Sequence, residues 1–179
     1  MRNESLTLQI TDATFPDLIE TLLRPVEQTR FDFSTQSSAE IGIQISNLTP
    51  QEICGHAVVD EAMADCCRSG LLLLHGFLHE SHEISQSIKS PTGSYWHGLM
   101  HRAEGDFWNS KYWYAQAGRN HPVIDKMHEQ DSSWNGETFV DECERAAQST
   151  IHSHDTINQL ARYEWFYLFQ HCWTAATGA

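Results

Sequence analysis

Along most of the chain apolar residues recur every three or four positions, the spacing that lines one face of a helix. Ile53, Ala57, Val58, Met63, Ala64 and the pair Cys66–Cys67 fall at that spacing. They predict a helical run that continues through Leu74 despite Gly70. Thr49-Pro50-Gln51-Glu52 opens it. Thr49 caps, Pro50 sits where its missing N–H is not needed, and Glu52 completes a capping box. His75-Gly76-Phe77 reads as a turn, Leu78 to Ile88 as a shorter helix, and Pro91-Thr92-Gly93 as the end of that unit. Ser94 to Glu104 then forms one helical run and Phe107 to Tyr114 another, with Gly105-Asp106 breaking them. The centre of the chain is therefore a helical hairpin rich in aromatic residues.

The flanks are less regular. Leu6, Leu8 and Ile10 alternate with polar residues, as do Ile41, Ile43 and Ile45. Period-two alternation predicts short strands or extended arms packed on helices. Thr14 to Arg24 predicts a short helix, with Pro16 near its start and Pro25 at its end. Ser34 to Ser38 reads as a loop, and residues 120–135 as a polar connection carrying Pro122 and Trp134. A helix follows from Asn135-Gly136 to about Thr150. After His154-Asp155 the last helix is apolar nearly all round, through Leu160, Tyr163, Trp165, Phe166, Tyr167, Phe169, Cys172 and Trp173. Such a helix should be largely buried. It is expected to pack across the central hairpin, with Glu164 and His171 as its interior polar groups.

The expected fold is all-α, a single domain of six or seven helices. Residues 1–48 supply an arm and a short helix, 49–122 two hairpins, and 123–179 the C-terminal helices. The hairpins resemble tetratricopeptide repeats, whose pattern runs W-x₂-L-G-x₂-Y, then A-x₃-F, then P. With Gly98 at the repeat glycine, Ser94, His97 and His101 take the W, L and Y positions. Ser110 takes the A, Tyr114 the F and Pro122 the P. Gly76-Phe77-Leu78 aligns with Gly105-Asp106-Phe107 at a spacing of 29, and Ser81 with Ser110. The likeness covers about two degenerate repeats, residues 57–122, so the terminal segments must cap the pair. The stretch Tyr95-Trp96-His97-Gly98-Leu99-Met100-His101-Arg102-Ala103-Glu104-Gly105-Asp106-Phe107 also resembles an uncharacterised family with no assigned activity.

Composition narrows the function. The chain has 179 residues, 40% of them hydrophobic, which suits a folded globule. No apolar run approaches the ~20 residues that span a bilayer. The first residues lack the apolar core of a secretory signal, so a cytoplasmic protein is expected. The five cysteines contain no Cys-x-x-Cys and read as buried thiols. The net charge is −13, yet residues 89–126 carry five bases against three acids. A broad basic surface for nucleic acid is missing, while a local anionic ligand remains compatible with that island.

Chemistry concentrates in the centre, where seven of the eleven histidines lie between His75 and His128. His97 and His101 share one helix face, as do His79 and His82. Imidazole pairs one turn apart on facing helices can close a metal site. His79, His82, His97 and His101 are thus the candidate metal ligands. His97, His101, Glu104 and Asp106 are the candidate acid–base groups. Arg102, Lys111 and Trp108 are the candidate ligand-binding residues. Glycine follows His97, so the zincin signature does not apply, and the chain has no Gly-x-Ser-x-Gly elbow or phosphate loop.

Two readings follow. The first is a non-catalytic interaction or scaffold domain with no cofactor, meeting a protein partner or a second copy through exposed aromatics of the 107–114 helix, and not nucleic acid or membrane. The alternative is a metal- or anion-binding pocket, hydrolytic in one form, between the central hairpin and the last helix. It would be built on His97, His101, Arg102 and Glu104 around a divalent metal. The two differ in whether the central imidazoles are satisfied by protein.

Overall fold

The computed structural model describes residues 15–150 and 154–179. These residues form ten α-helices and one 3₁₀-helix, and among them no strand occurs. The all-α class is as expected, but the helices outnumber the six or seven read from the sequence.

The differences have local causes. α1 (Asp17–Leu23) starts later than predicted because Pro16 is its N-cap, and Pro25 turns the chain into the 3₁₀-helix Arg24–Gln28. Ile41, Ile43 and Ile45 lie in α2 (Ala39–Ser46) and not in an extended arm. Ile41 and Ile45 are also one helical turn apart, and both pack on the core while Ile43 is left exposed. Leu6, Leu8, Ile10 and Thr14 lie outside the described residues. The capping box of Thr49 and Glu52 forms, but α3 (Pro50–Cys54) stops at Gly55 and α4 (Glu61–Leu74) restarts from an Asp60 cap. Pro91 opens α6 (Pro91–Glu104) and does not close the preceding unit, since Ser90 caps the Gly93 N–H. Pro122 likewise opens α8 (Pro122–Gln130) inside the stretch expected to be a connection. At both sites proline's fixed φ suits the first turn. α9 (Gly136–Ala147) and α10 (Asp155–Thr177) complete the set.

α4 with α5 (Leu78–Ser87) and α6 with α7 (Phe107–Ala117) form two packed hairpins. Their joints match at the 29-residue offset. Gly76 (φ 78°) and Gly105 (φ 85°) end the first helix of each hairpin in the left-handed conformation that glycine adopts without strain. The Phe77 N–H then donates to the Leu72 carbonyl, and the Asp106 N–H to that of His101, both at 2.9 Å. In the body of each hairpin a serine hydroxyl reaches across. Ser81 Oγ donates to the Ser69 carbonyl at 2.9 Å, and Ser110 Oγ to that of Gly98 at 2.8 Å. A small residue at each crossing lets the helices approach closely.

α10 lies against α4, α6 and α8. Trp165, Leu168, Phe169 and Cys172 are fully buried there with Leu71, Leu72 and Leu73 of α4. Gly70 belongs in this seam. A Cβ on it would meet the Trp96 ring at 2.5 Å, and its carbonyl accepts from Trp165 Nε1 at 3.1 Å. All five cysteines are buried free thiols.

Candidate metal centre

α6 is the helix around which buried polar groups collect, and its two faces carry different sets. His97 and His101 sit one turn apart on the face toward α5, where His82 meets them. One ring nitrogen from each of the three lies within 4.8 Å of the others. The His97 and His101 rings stack with centroids 4.7 Å apart, and His82 stands edge-on to both. On its other side His97 lies flat against Trp113 of α7, at 4.1 Å and 12°.

His97 and His101 are almost wholly buried, and the Nδ1 of each has no hydrogen-bond partner. Glu104 Oε2 stands 3.5 Å from His101 Nδ1, beyond good bonding geometry but facing it. Burial, reinforced by the neighbouring histidines and Lys89, pushes His97 down to about 3. Burial also lowers His101, although Glu104 opposes it. Both rings are therefore neutral at physiological pH, the form that binds metal. Bonds of about 2.0–2.1 Å place tetrahedral ligands roughly 3.3 Å apart, so an ion would have to draw the three nitrogens closer together.

Other buried histidines show what a structural imidazole looks like in this fold. His75 bonds Ser37 Oγ through Nδ1 and the Leu22 carbonyl through Nε2. His121 accepts from the Val123 N–H and meets Thr92 Oγ1 at 3.2 Å. Burial, then His171, lowers His121 to about 4. Each has both nitrogens engaged by protein.

The opposite face of α6 carries Tyr95 and Arg102. Arg102 is not beside the histidines, because one residue along a helix rotates the side chain about 100°. Its Nη1 donates to Glu164 Oε2 of α10 at 2.6 Å and to Tyr114 Oη at 2.8 Å. Tyr114 and Tyr95 in turn donate to Glu164 Oε1, at 2.5 and 3.1 Å. Phe139 lies under the guanidinium at 5.0 Å. Burial works against the Arg102 charge, but Glu164 and Tyr114 more than offset it and raise its pKa. This is an internal salt bridge, its guanidinium buried away from solvent although Nε and Nη2 have no partner. The expected pocket between the central hairpin and α10 is thus filled by Arg102 and Glu164, and the imidazoles face α5.

The remaining candidates separate. His79 is exposed and pairs with Glu83 at 3.6 Å, away from the triad. Asp106 caps α7 by accepting from the Asn109 N–H. Lys111 is tied to Asp141 at 2.7 Å. Trp108 is 74% exposed and stacks on Tyr112, which is 49% exposed. A groove of about 510 Å³ runs between α8 and α10, past His171 and away from the triad. The sequence did not mark Trp113, Tyr95 or Tyr114 as parts of these sites, since aromatic residues at helical spacing read simply as core. Comparison with protein-family models, curated proteins and solved structures finds no match.

Proposed function

We propose that the protein binds one transition-metal ion through His82, His97 and His101, leaving a coordination position open to water or a small ligand. The observation that carries this reading is the approach of one ring nitrogen from each of the three histidines to within 4.8 Å of the others, on two buried rings of which His97 has no hydrogen-bond partner at Nδ1. Buried polar groups are ordinarily satisfied, and His75 and His121 follow that rule. Three imidazoles suit zinc, copper, nickel or cobalt, and not magnesium or calcium. Glu104 faces His101 Nδ1 and leaves Nε2 for the metal, the carboxylate–histidine–metal arrangement that fixes ring orientation and raises basicity. Glu104 is thus a positioning residue.

The test is isothermal titration of untagged, chelator-treated protein with zinc, followed by elemental analysis. One equivalent is expected, with a rise in Tm, since a ligand at 100 times its Kd adds about 2.7 kcal/mol. His97→Ala with His101→Ala should abolish both. Equal zinc uptake by the double variant, or none by the native chain, overturns the reading.

A second reading rests on a different observation, the exposed parallel pair Trp108 and Tyr112 on α7. Exposed aromatic surface on a repeat-like hairpin supports an interaction face for a protein partner or a second copy. Light scattering checks self-association. A strictly monomeric native chain with the same behaviour as Trp108→Ala counts against it.

A further inference from the structure

The aromatic rings beside the histidine triad form one continuous series that ends in solvent. His97 lies flat on Trp113 with ring centroids 4.1 Å apart. Trp113 and Tyr112 stand edge to face at 5.3 Å, and Tyr112 runs parallel to Trp108 at 6.5 Å. None of these spacings exceeds the roughly 7 Å within which aromatic rings are in contact. Exposure rises along the series, from buried His97 through half-buried Trp113 to Tyr112 at 49% and Trp108 at 74%. Packing accounts for Trp113, which covers an imidazole, but not for the two rings beyond it. Four large apolar side chains are left exposed among the described residues, and the only aromatic ones are Trp108 and Tyr112. Both are continuous with the triad.

An electron crosses protein by tunnelling, and the rate falls steeply with the length of saturated chain to be crossed. Rings in contact replace saturated chain with π orbitals and leave only van der Waals gaps between them. Of the ions that three imidazoles suit, copper exchanges one electron between two stable oxidation states, whereas zinc has no second state. The net charge of −13 favours a positively charged partner at the exposed end.

We propose that Trp113, Tyr112 and Trp108 form an electron path between copper held in the triad and a cationic one-electron acceptor docked on the Trp108 face. The inference rests on the metal-binding reading and names the ion and the class of partner. In the step, copper(I) loses one electron and becomes copper(II), and the acceptor gains that electron. No bond forms or breaks and no proton moves, since the rings bridge the transfer and are unchanged by it. His82, the partly exposed member of the triad, is the competing exit.

The test loads the full chain with one equivalent of copper(I) under nitrogen and mixes it with pentaammine(pyridine)ruthenium(III). This trication accepts one electron and keeps its ligands in both oxidation states. Stopped-flow absorbance and the paramagnetic resonance signal of copper(II) follow the oxidation. Trp108→Leu combined with Tyr112→Leu changes only exposed residues, so copper content is retained and oxidation should slow by about tenfold. Ile43→Ala, which alters an exposed apolar residue on α2, should leave the rate unchanged. Equal rates in the native chain and the paired variant, at equal copper content, mean that the electron leaves through His82. That result overturns the path and leaves the metal site standing. A native chain that binds zinc but not copper(I), or whose copper(I) is not oxidised, also overturns this inference alone. A native chain that takes up neither ion overturns both.

Discussion

Leu72 and Leu73 of α4 occupy the same two places as His101 and Arg102 of α6, in hairpins that share their turn geometry and their crossing serine bond. In the first hairpin both positions are apolar and fully buried. In the second, equally buried positions hold a histidine and an arginine. Stability alone favours the leucines, since burying polar groups costs free energy unless they are bonded. The second hairpin meets that cost in two ways. Arg102 is charge-paired with Glu164 and bonded to Tyr114, although its Nε and Nη2 stay unpaired. His101, with His97, keeps a bare buried nitrogen. Where one hairpin follows the packing rule and its counterpart departs from it, the departure points to function. The two departures also differ, because Arg102 has a bonded counter-charge inside the protein, whereas His97 and His101 each lack a hydrogen-bond partner at Nδ1.

Breaking the Arg102–Glu164 pair should have the largest effect. Arg102→Leu, which copies Leu73, leaves Glu164 buried with its two tyrosine hydrogen bonds but without its counter-charge, and is expected to cost about 3–5 kcal/mol in urea unfolding. Adding Glu164→Leu should return most of that loss, because the pair as a unit contributes little beyond its own desolvation. A double variant no better than the single would mean that the pair also organises the surrounding helices.

Glu104→Gln should weaken zinc binding by about 10–100-fold, roughly 1.4–2.7 kcal/mol, measured by competition with a chelator. Metal-free stability should hardly move, because Glu104 is exposed. His101→Leu, which copies Leu72, should give the opposite balance. It should raise metal-free stability by about 1 kcal/mol through removal of an unsatisfied buried nitrogen, and it should eliminate the zinc-dependent rise in Tm.

The metal-free protein should also show a pH dependence, from several histidines at once. Burial lowers His97 to about 3 and, with His171, His121 to about 4, and it also lowers His75, His101 and His171. Unfolded histidines titrate near 6.5, so below that pH the unfolded chain binds more protons than the folded one. The stability from neutral burial is therefore present above about pH 6.5 and lost as pH falls toward 3–4. Urea midpoints at pH 7.5 and 4.5 should show the drop, and a smaller drop in His101→Leu.

Signals that act within a few residues were legible. The Thr49 box, the Gly105-Asp106 break and the His97–His101 face all follow from spacing along one helix. Relations set by how helices roll against each other were not. His79 and His82 both lie on α5, and only its packing on α6 decides that His82 joins the triad. Likewise His101 and Arg102 are adjacent in sequence, and a 100° step sends one to α5 and the other to Glu164. Ile41, Ile43 and Ile45 suit two periodicities at once, and the buried side of α2 chose between them. Prolines 91 and 122 could end or begin a helix, and the residues before them, Ser90 and His121, decided by capping.

The flat contact between Trp113 and His97 gives the triad an intrinsic optical label. An indole 4.1 Å from a metal-binding ring emits within quenching range of any open-shell ion held there. Copper(II) or nickel(II) should darken Trp113, whereas closed-shell zinc should shift its emission with little loss of intensity. Occupancy, exchange rate and metal preference can then be followed in the unmodified chain.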